Sequence, residues 1–140
     1  MDNNDFAASK LVEAIRAAFP EDAAWVDKQV QAQGFERTEA SYIWVERFSQ
    51  CTTNYLKAPD QSKAGSHLGL ISALLGIAQR TNDSAMVRCI DVAYSENLMF
   101  DMNEERKKQC WPLIPQNLKT LYVDMWGGMP FMRKRGRRAK

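Results

Sequence analysis

A chain of 140 residues with 45% hydrophobic and 26% charged side chains has the size and composition of one soluble domain, able to bury roughly two thirds of its unfolded surface without a metal or disulfide staple. No apolar run approaches the roughly 20 residues that a membrane-spanning helix needs, so no membrane partner is expected. The 19 basic and 17 acidic residues give a formal charge of +2, yet Arg133, Lys134, Arg135, Arg137, Arg138 and Lys140 crowd the last eight positions and leave residues 1–130 at a formal −4. We therefore expect one acidic helical domain over residues 1–130 and a basic C-terminal tail over residues 131–140.

Other classes are excluded by what the chain lacks. The opening stretch MDNNDFAASK has neither the basic segment nor the apolar core of a secretory signal, which points to a cytoplasmic protein. Cys51, Cys89 and Cys110 are odd in number and form no CxxC pair, so buried thiols are expected rather than a disulfide framework or a cysteine-rich zinc site. His67 is the one histidine, which rules out multi-histidine metal clusters, and no glycine pattern matches GxGxxG or GxxxxGK[ST]. Neither a metal nor a cofactor is expected.

In chain order, Ala8, Leu11, Val12, Ile15, Ala18 and Phe19 recur at helical spacing and Pro20 ends the run. Pro20 then suits the first turn of a second helix, with Glu21 and Asp22 at its positive end, Val26 and Val30 inward, and Gly34 as its stop. Trp44, Val45, Phe48, Cys51, Thr52, Tyr55 and Leu56 mark a long amphipathic third helix that Pro59 terminates. The segment DQSKAGSHLGLISALLGIAQR, capped by Asp60, has apolar residues around most of its circumference and is expected at the centre of the fold. Gly65, Gly69, Ser72 and Gly76 share one line along it, which predicts close approach of another helix.

The TND turn at 81–83 predicts a hairpin to a fifth helix over about residues 84–100, and Asn103 with Glu104 and Glu105 opens a short sixth. CWPLIP interrupts regular helix, Pro115 opens the last one, which turns Leu118, Leu121, Tyr122 and Met125 one way, and Gly127-Gly128 closes it. Strand signals are missing throughout. The expected fold is all-α, with six or seven helices stacked as antiparallel hairpins around a central apolar helix at about residues 60–80.

Candidate functional residues are few. Asn97 and Asp101 fall within the apolar arc of the fifth helix beside Ile90, Tyr94 and Leu98, while Asp91 and Glu96 lie at its edge or outside. One reading makes Asn97 and Asp101 internal braces for the irregular CWPLIP backbone. Another makes Asp91, Glu96, Asn97 and Asp101 an acidic surface for a basic protein partner, or two of the carboxylates an acid-base pair. His67 reads as a buried neutral imidazole bonded to the fifth helix through Asp91 or Tyr94. A hydrolase triad would need His67 with Ser66 or Ser95, but no GxSxG element is present. The tail residues Arg133, Lys134, Arg135, Arg137, Arg138 and Lys140 suit sequence-independent nucleic-acid binding.

The stretches IDVAYSENL and WPLIPQNLKTLYVDMWG carry a Glu96-Asn97-Leu98 element, Trp111-Pro112, Pro115 with Leu118-Lys119, and a closing Met125-Trp126-Gly127. This pattern resembles an uncharacterised family of small all-helical bacterial proteins over roughly residues 65–127. The resemblance implies a helical fold and an architectural role for Trp111, Pro112, Pro115, Leu118, Lys119, Tyr122 and Trp126. By analogy with small acidic helical proteins, it also implies an immunity-type inhibitor that binds a toxin and needs no catalytic residues.

Overall fold

The computed structural model describes residues 3–35 and 40–127. Among these there are seven α-helices and no strand: α1 (Asn3–Ala18), α2 (Pro20–Ala32), α3 (Ser41–Lys57), α4 (Ser62–Arg80), α5 (Ser84–Cys89), α6 (Glu104–Cys110) and α7 (Gln116–Trp126). A π-helical turn, Ile90–Ser95, continues α5, and a 3₁₀ turn, Trp111–Leu113, follows α6. None of the described helices is long and apolar enough to cross a membrane. The all-α class expected from periodicity is the fold observed.

Local signals set the helix ends. Pro20 lies in the first turn of α2, and Gly34 takes φ +94° beyond its end, where its N–H reaches the Gln31 carbonyl. Asp83 and Asn103 accept from the backbone N–H of Met86 and Arg106, capping α5 and α6. Asp60 accepts from Ser62 N at 3.0 Å, one residue ahead of the α4 N-cap. At the far end Gly127, with φ +77°, donates to the Val123 carbonyl and stops α7.

The core is one continuous cluster running from Ala7 to Tyr122, and α3, with its buried polar residues included, has eight buried side chains, more than any other described helix. That helix packs against α1, α2, α4 and the π turn. In α4 the buried residues Ala64, His67, Leu68, Ile71, Leu75 and Ala78 form a single stripe, through which it meets α3, α5 and α7. Of the line Gly65, Gly69, Ser72 and Gly76, only Ser72 meets another helix, exchanging bonds with Asn117 of α7 at 2.8 and 3.0 Å, and the glycines bring none close. A Cβ at Gly65 or Gly69 would meet nothing within 4 Å, and one at Gly76 would touch only the Arg80 guanidinium. The breadth of the apolar arc in α4 overstated its enclosure, because its outer apolar residues, such as Ile77, remain 49% exposed.

The fifth helix also departs from expectation. The α-helical pattern stops at Cys89, the π turn bonds Glu96 N to the Asp91 carbonyl, and Met99 turns the chain with φ +62°. Backbone groups freed there are satisfied by hydroxyls of α3: Ser49 Oγ donates to the Tyr94 carbonyl at 2.8 Å, and Thr53 Oγ1 accepts from Met99 N at 3.0 Å. Both hydroxyl residues are fully buried, so they hold an irregular segment that would otherwise leave polar backbone unsatisfied.

Candidate functional site

Helices α2, α3 and α4 meet around His67. Its ring is 1% exposed and packs between Phe19 and Phe48, with centroids at 4.6 and 4.4 Å. Nε2 lies 2.8 Å from Asp22 Oδ2 and Nδ1 lies 2.9 Å from Thr52 Oγ1. Tyr55 donates to Asp22 Oδ1 at 2.6 Å, and Tyr94 donates to Thr52 Oγ1 at 3.0 Å. With the imidazole neutral, one proton arrangement satisfies every atom. Tyr94 donates to Thr52, Thr52 donates to Nδ1, and Nε2–H and Tyr55 both donate to the Asp22 carboxylate.

The electrostatics agree with that assignment. Burial lowers the His67 pKa, and the bond to Asp22 only partly offsets it, so the ring is neutral near pH 7. Burial opposes ionisation of Asp22, but hydrogen bonds from Tyr55 and His67 outweigh it and hold the carboxyl below its ordinary pKa. Cys51 adds its sulfur to the group: Sγ, a His67 ring nitrogen and an Asp22 oxygen all lie within 4.8 Å of one another. Burial first, and then the neighbouring Asp22 carboxylate, push the Cys51 thiol up to about 12, so it keeps its proton. A cleft of about 330 Å³ lined by Phe19, Pro20, Glu21, Asp22, Lys63, Ser66 and His67 opens this group to solvent.

His67 is therefore buried and neutral, but its link to Tyr94 runs through Thr52, and its carboxylate partner is Asp22 of α2 rather than Asp91. Its two nitrogens face Asp22 and Thr52, while Ser66 Oγ donates to the Ser62 carbonyl, so no serine is paired with the imidazole. The approach of Asp22 and Cys51 to His67 had no sequence signal. Asp22 lies 45 positions from His67, and in sequence it reads as an acidic residue in the first turn of α2.

The other acidic candidates separate. Asn97 Nδ2 donates to the Ala93 carbonyl at 2.9 Å, bracing its own irregular helix, and Asp101 pairs with Lys57 at 2.8 Å on the surface. Neither of these bonds goes to the 111–115 backbone. Regular helix ends at Ser95 and Met99 reverses the chain with φ +62°, so Asp101, which a uniform α-helical wheel places inward, is exposed.

Asp91 and Glu96 do stay together, and the fold adds Glu46 of α3 and Asp124 of α7. Burial, then Glu96 and Asp124, raise the Asp91 pKa, while Glu46 is raised by burial and by Glu96 against the pull of Arg47. Asp91 Oδ1 and the Ser95 hydroxyl are buried without a hydrogen-bond partner. All three cysteines are free and buried, as expected. The candidate nucleic-acid residues Arg133, Lys134, Arg135, Arg137, Arg138 and Lys140 lie outside the described residues.

A family model described as a domain of unknown function, DUF7674, matches residues 12–127. The chain belongs to the DUF7674 family. The matched span runs from Val12 in α1 through Gly127 and takes in both the His67 network and the acidic group. No curated protein and no solved structure matches the chain.

Proposed function

We propose that this DUF7674 protein is a non-catalytic protein-binding module of the bacterial cytoplasm, an immunity-type inhibitor that docks a basic surface of a toxin. The observation that carries the reading is Asp91. Its carboxylate keeps one buried oxygen without a partner while Glu96 and Asp124 add like charge near it, outweighing the pull of Arg88. Such an arrangement costs stability in the free protein, and a lysine or arginine from a partner relieves it. On α7, Val123, Met125 and Trp126 flank Asp124 and are exposed, offering apolar and aromatic contact beside the charge.

The test is co-expression with the product of the reading frame adjoining this one, assayed as a toxin. Glu96→Lys and Asp91→Lys are expected to weaken the complex at least tenfold and abolish protection, whereas Asp101→Asn, at a carboxylate already paired with Lys57, leaves it intact. Full protection by both reversal variants would end the proposal. A second reading, a nucleic-acid-associated accessory, is favoured by the six basic residues in the last eight positions. It requires salt-dependent retention on DNA or RNA that disappears when residues 133–140 are removed.

A further inference from the structure

The geometry points to a metal site at the foot of the α2–α4 cleft, where Asp22, Cys51 and His67 bind one divalent ion of the zinc class with water as the fourth ligand. This lies apart from the acidic docking surface and does not depend on it. The three donor atoms already sit within 4.8 Å of one another. Tetrahedral zinc, with Zn–N near 2.0 Å and Zn–S near 2.3 Å, holds its donors roughly 3.3–3.6 Å apart, which small side-chain rotations reach. The donor set is one nitrogen, one sulfur and one carboxylate oxygen, a combination that favours zinc or cobalt over calcium or magnesium.

Proton balance is simple. The ion forms bonds to Nε2, Sγ and an Asp22 oxygen; the Sγ proton leaves to solvent, and the imidazole stays neutral by giving up its Nε2 proton and taking one on Nδ1, so one proton is released in all. One thiolate and one carboxylate then neutralise the dication, so the filled site carries no net charge into a largely buried position.

The surroundings can accept the change. With Nε2 metallated, Nδ1 must carry the proton and needs an acceptor, as metal-bound histidines usually have. Thr52 supplies one, because its hydroxyl has a second acceptor, the Phe48 carbonyl at 3.2 Å, to which it can donate while receiving from Nδ1 and from Tyr94. Tyr55 holds the other Asp22 oxygen at 2.6 Å and so orients the carboxylate. The cleft is lined by Asp22 and His67 and so brings an ion and water to two of the three donors, while Cys51, buried and not on its wall, supplies the third.

The experiment titrates the reduced full-length chain with Co²⁺, follows near-ultraviolet thiolate-to-cobalt charge-transfer absorption, and then adds Zn²⁺. We expect the band to saturate at one equivalent, to be bleached by one equivalent of Zn²⁺, and to persist in the Cys89→Ala/Cys110→Ala double variant, where Cys51 is the one thiol left. Cys51→Ala, shown to be folded by circular dichroism, should lose the band entirely. No charge-transfer absorption in the wild-type chain, or a band that survives Cys51→Ala, would overturn the assignment. If Cys51→Ala does not fold, the double variant decides: absence of the band there places the thiolate elsewhere and refutes the site.

Discussion

Asp27 shows how much one side chain can hold in this fold. From α2 it receives two bonds from the Arg16 guanidinium of α1, at 2.9 and 3.1 Å, and one from Trp44 Nε1 of α3 at 2.8 Å. The Arg16 guanidinium also lies over the Trp44 ring at 5.3 Å. Asp27→Ala leaves the fully buried indole N–H without this acceptor and a guanidinium without its counter-charge. The expected loss is about 2–3 kcal/mol, read from urea unfolding, with Arg16 partly exposed and so below the full cost of breaking a buried pair. The His67 network predicts acid sensitivity. The folded pKa values of His67 and Asp22 are both lowered, so the unfolded chain binds more protons. His67 stability is complete above its unfolded value of 6.5 and declines as pH falls toward the lower folded value, while that of Asp22 is lost only below 3.8. Asp91 and Glu46, whose values are raised, act in the opposite sense, since each is relieved by protonation, and comparison with a His67 variant separates them from the imidazole. The window set by the unfolded imidazole is about pH 5 to 6.5. Unfolding free energy should fall across it in the wild type and fall less in His67→Gln.

At the scale of single helices, α4 offers an unusual prediction. Gly69 lies in mid-helix with ordinary backbone conformation and open space where a Cβ would stand. Gly69→Ala should therefore stabilise the protein by about 1 kcal/mol through helix propensity and a less disordered unfolded chain. Thermal unfolding should report a rise of roughly 4 °C, and a lowered midpoint would show that the glycine line does receive a neighbour. That line is also where reading the sequence went astray. Hydrophobic spacing revealed that α4 exists, though not which stripe it buries, and proline, asparagine, aspartate and glycine marked most ends correctly. What spacing cannot reveal is whether a small residue faces a partner or water, because both leave the same pattern. The π turn was hidden for a related reason. Ile90, Ala93, Tyr94 and Leu98 are all buried and fit an α-helical arc well enough to mask the wider turn. The groups that satisfy the irregular segment, Ser49 and Thr53, lie on a different helix, beyond the reach of any local window.

Across the whole molecule the two candidate sites were legible to different degrees. Asp91 and Glu96 sit close enough in sequence to be grouped, and Glu46 and Asp124 join them only through packing. Asp22, Cys51 and His67 come from three helices and carry no shared spacing. Charge, by contrast, is a whole-chain property that the sequence states outright: +2 overall and −4 over residues 1–130. If the acidic body steers onto a basic partner, the tail opposes it. Removing residues 133–140 takes away six positive charges without touching any described core residue, so stability should stay within about 0.5 kcal/mol of the intact chain. Association with the partner should quicken, because long-range attraction acts on the encounter rate more than on the complex. The gain should be largest at low ionic strength and fade as salt is raised past about 0.15 M, where the screening length falls to roughly 8 Å. Stopped-flow association rates for intact and shortened chains over a salt series supply the check. Slower association of the shortened chain would mean that the tail itself contacts the partner, and the acidic face would then not be the surface that guides the encounter.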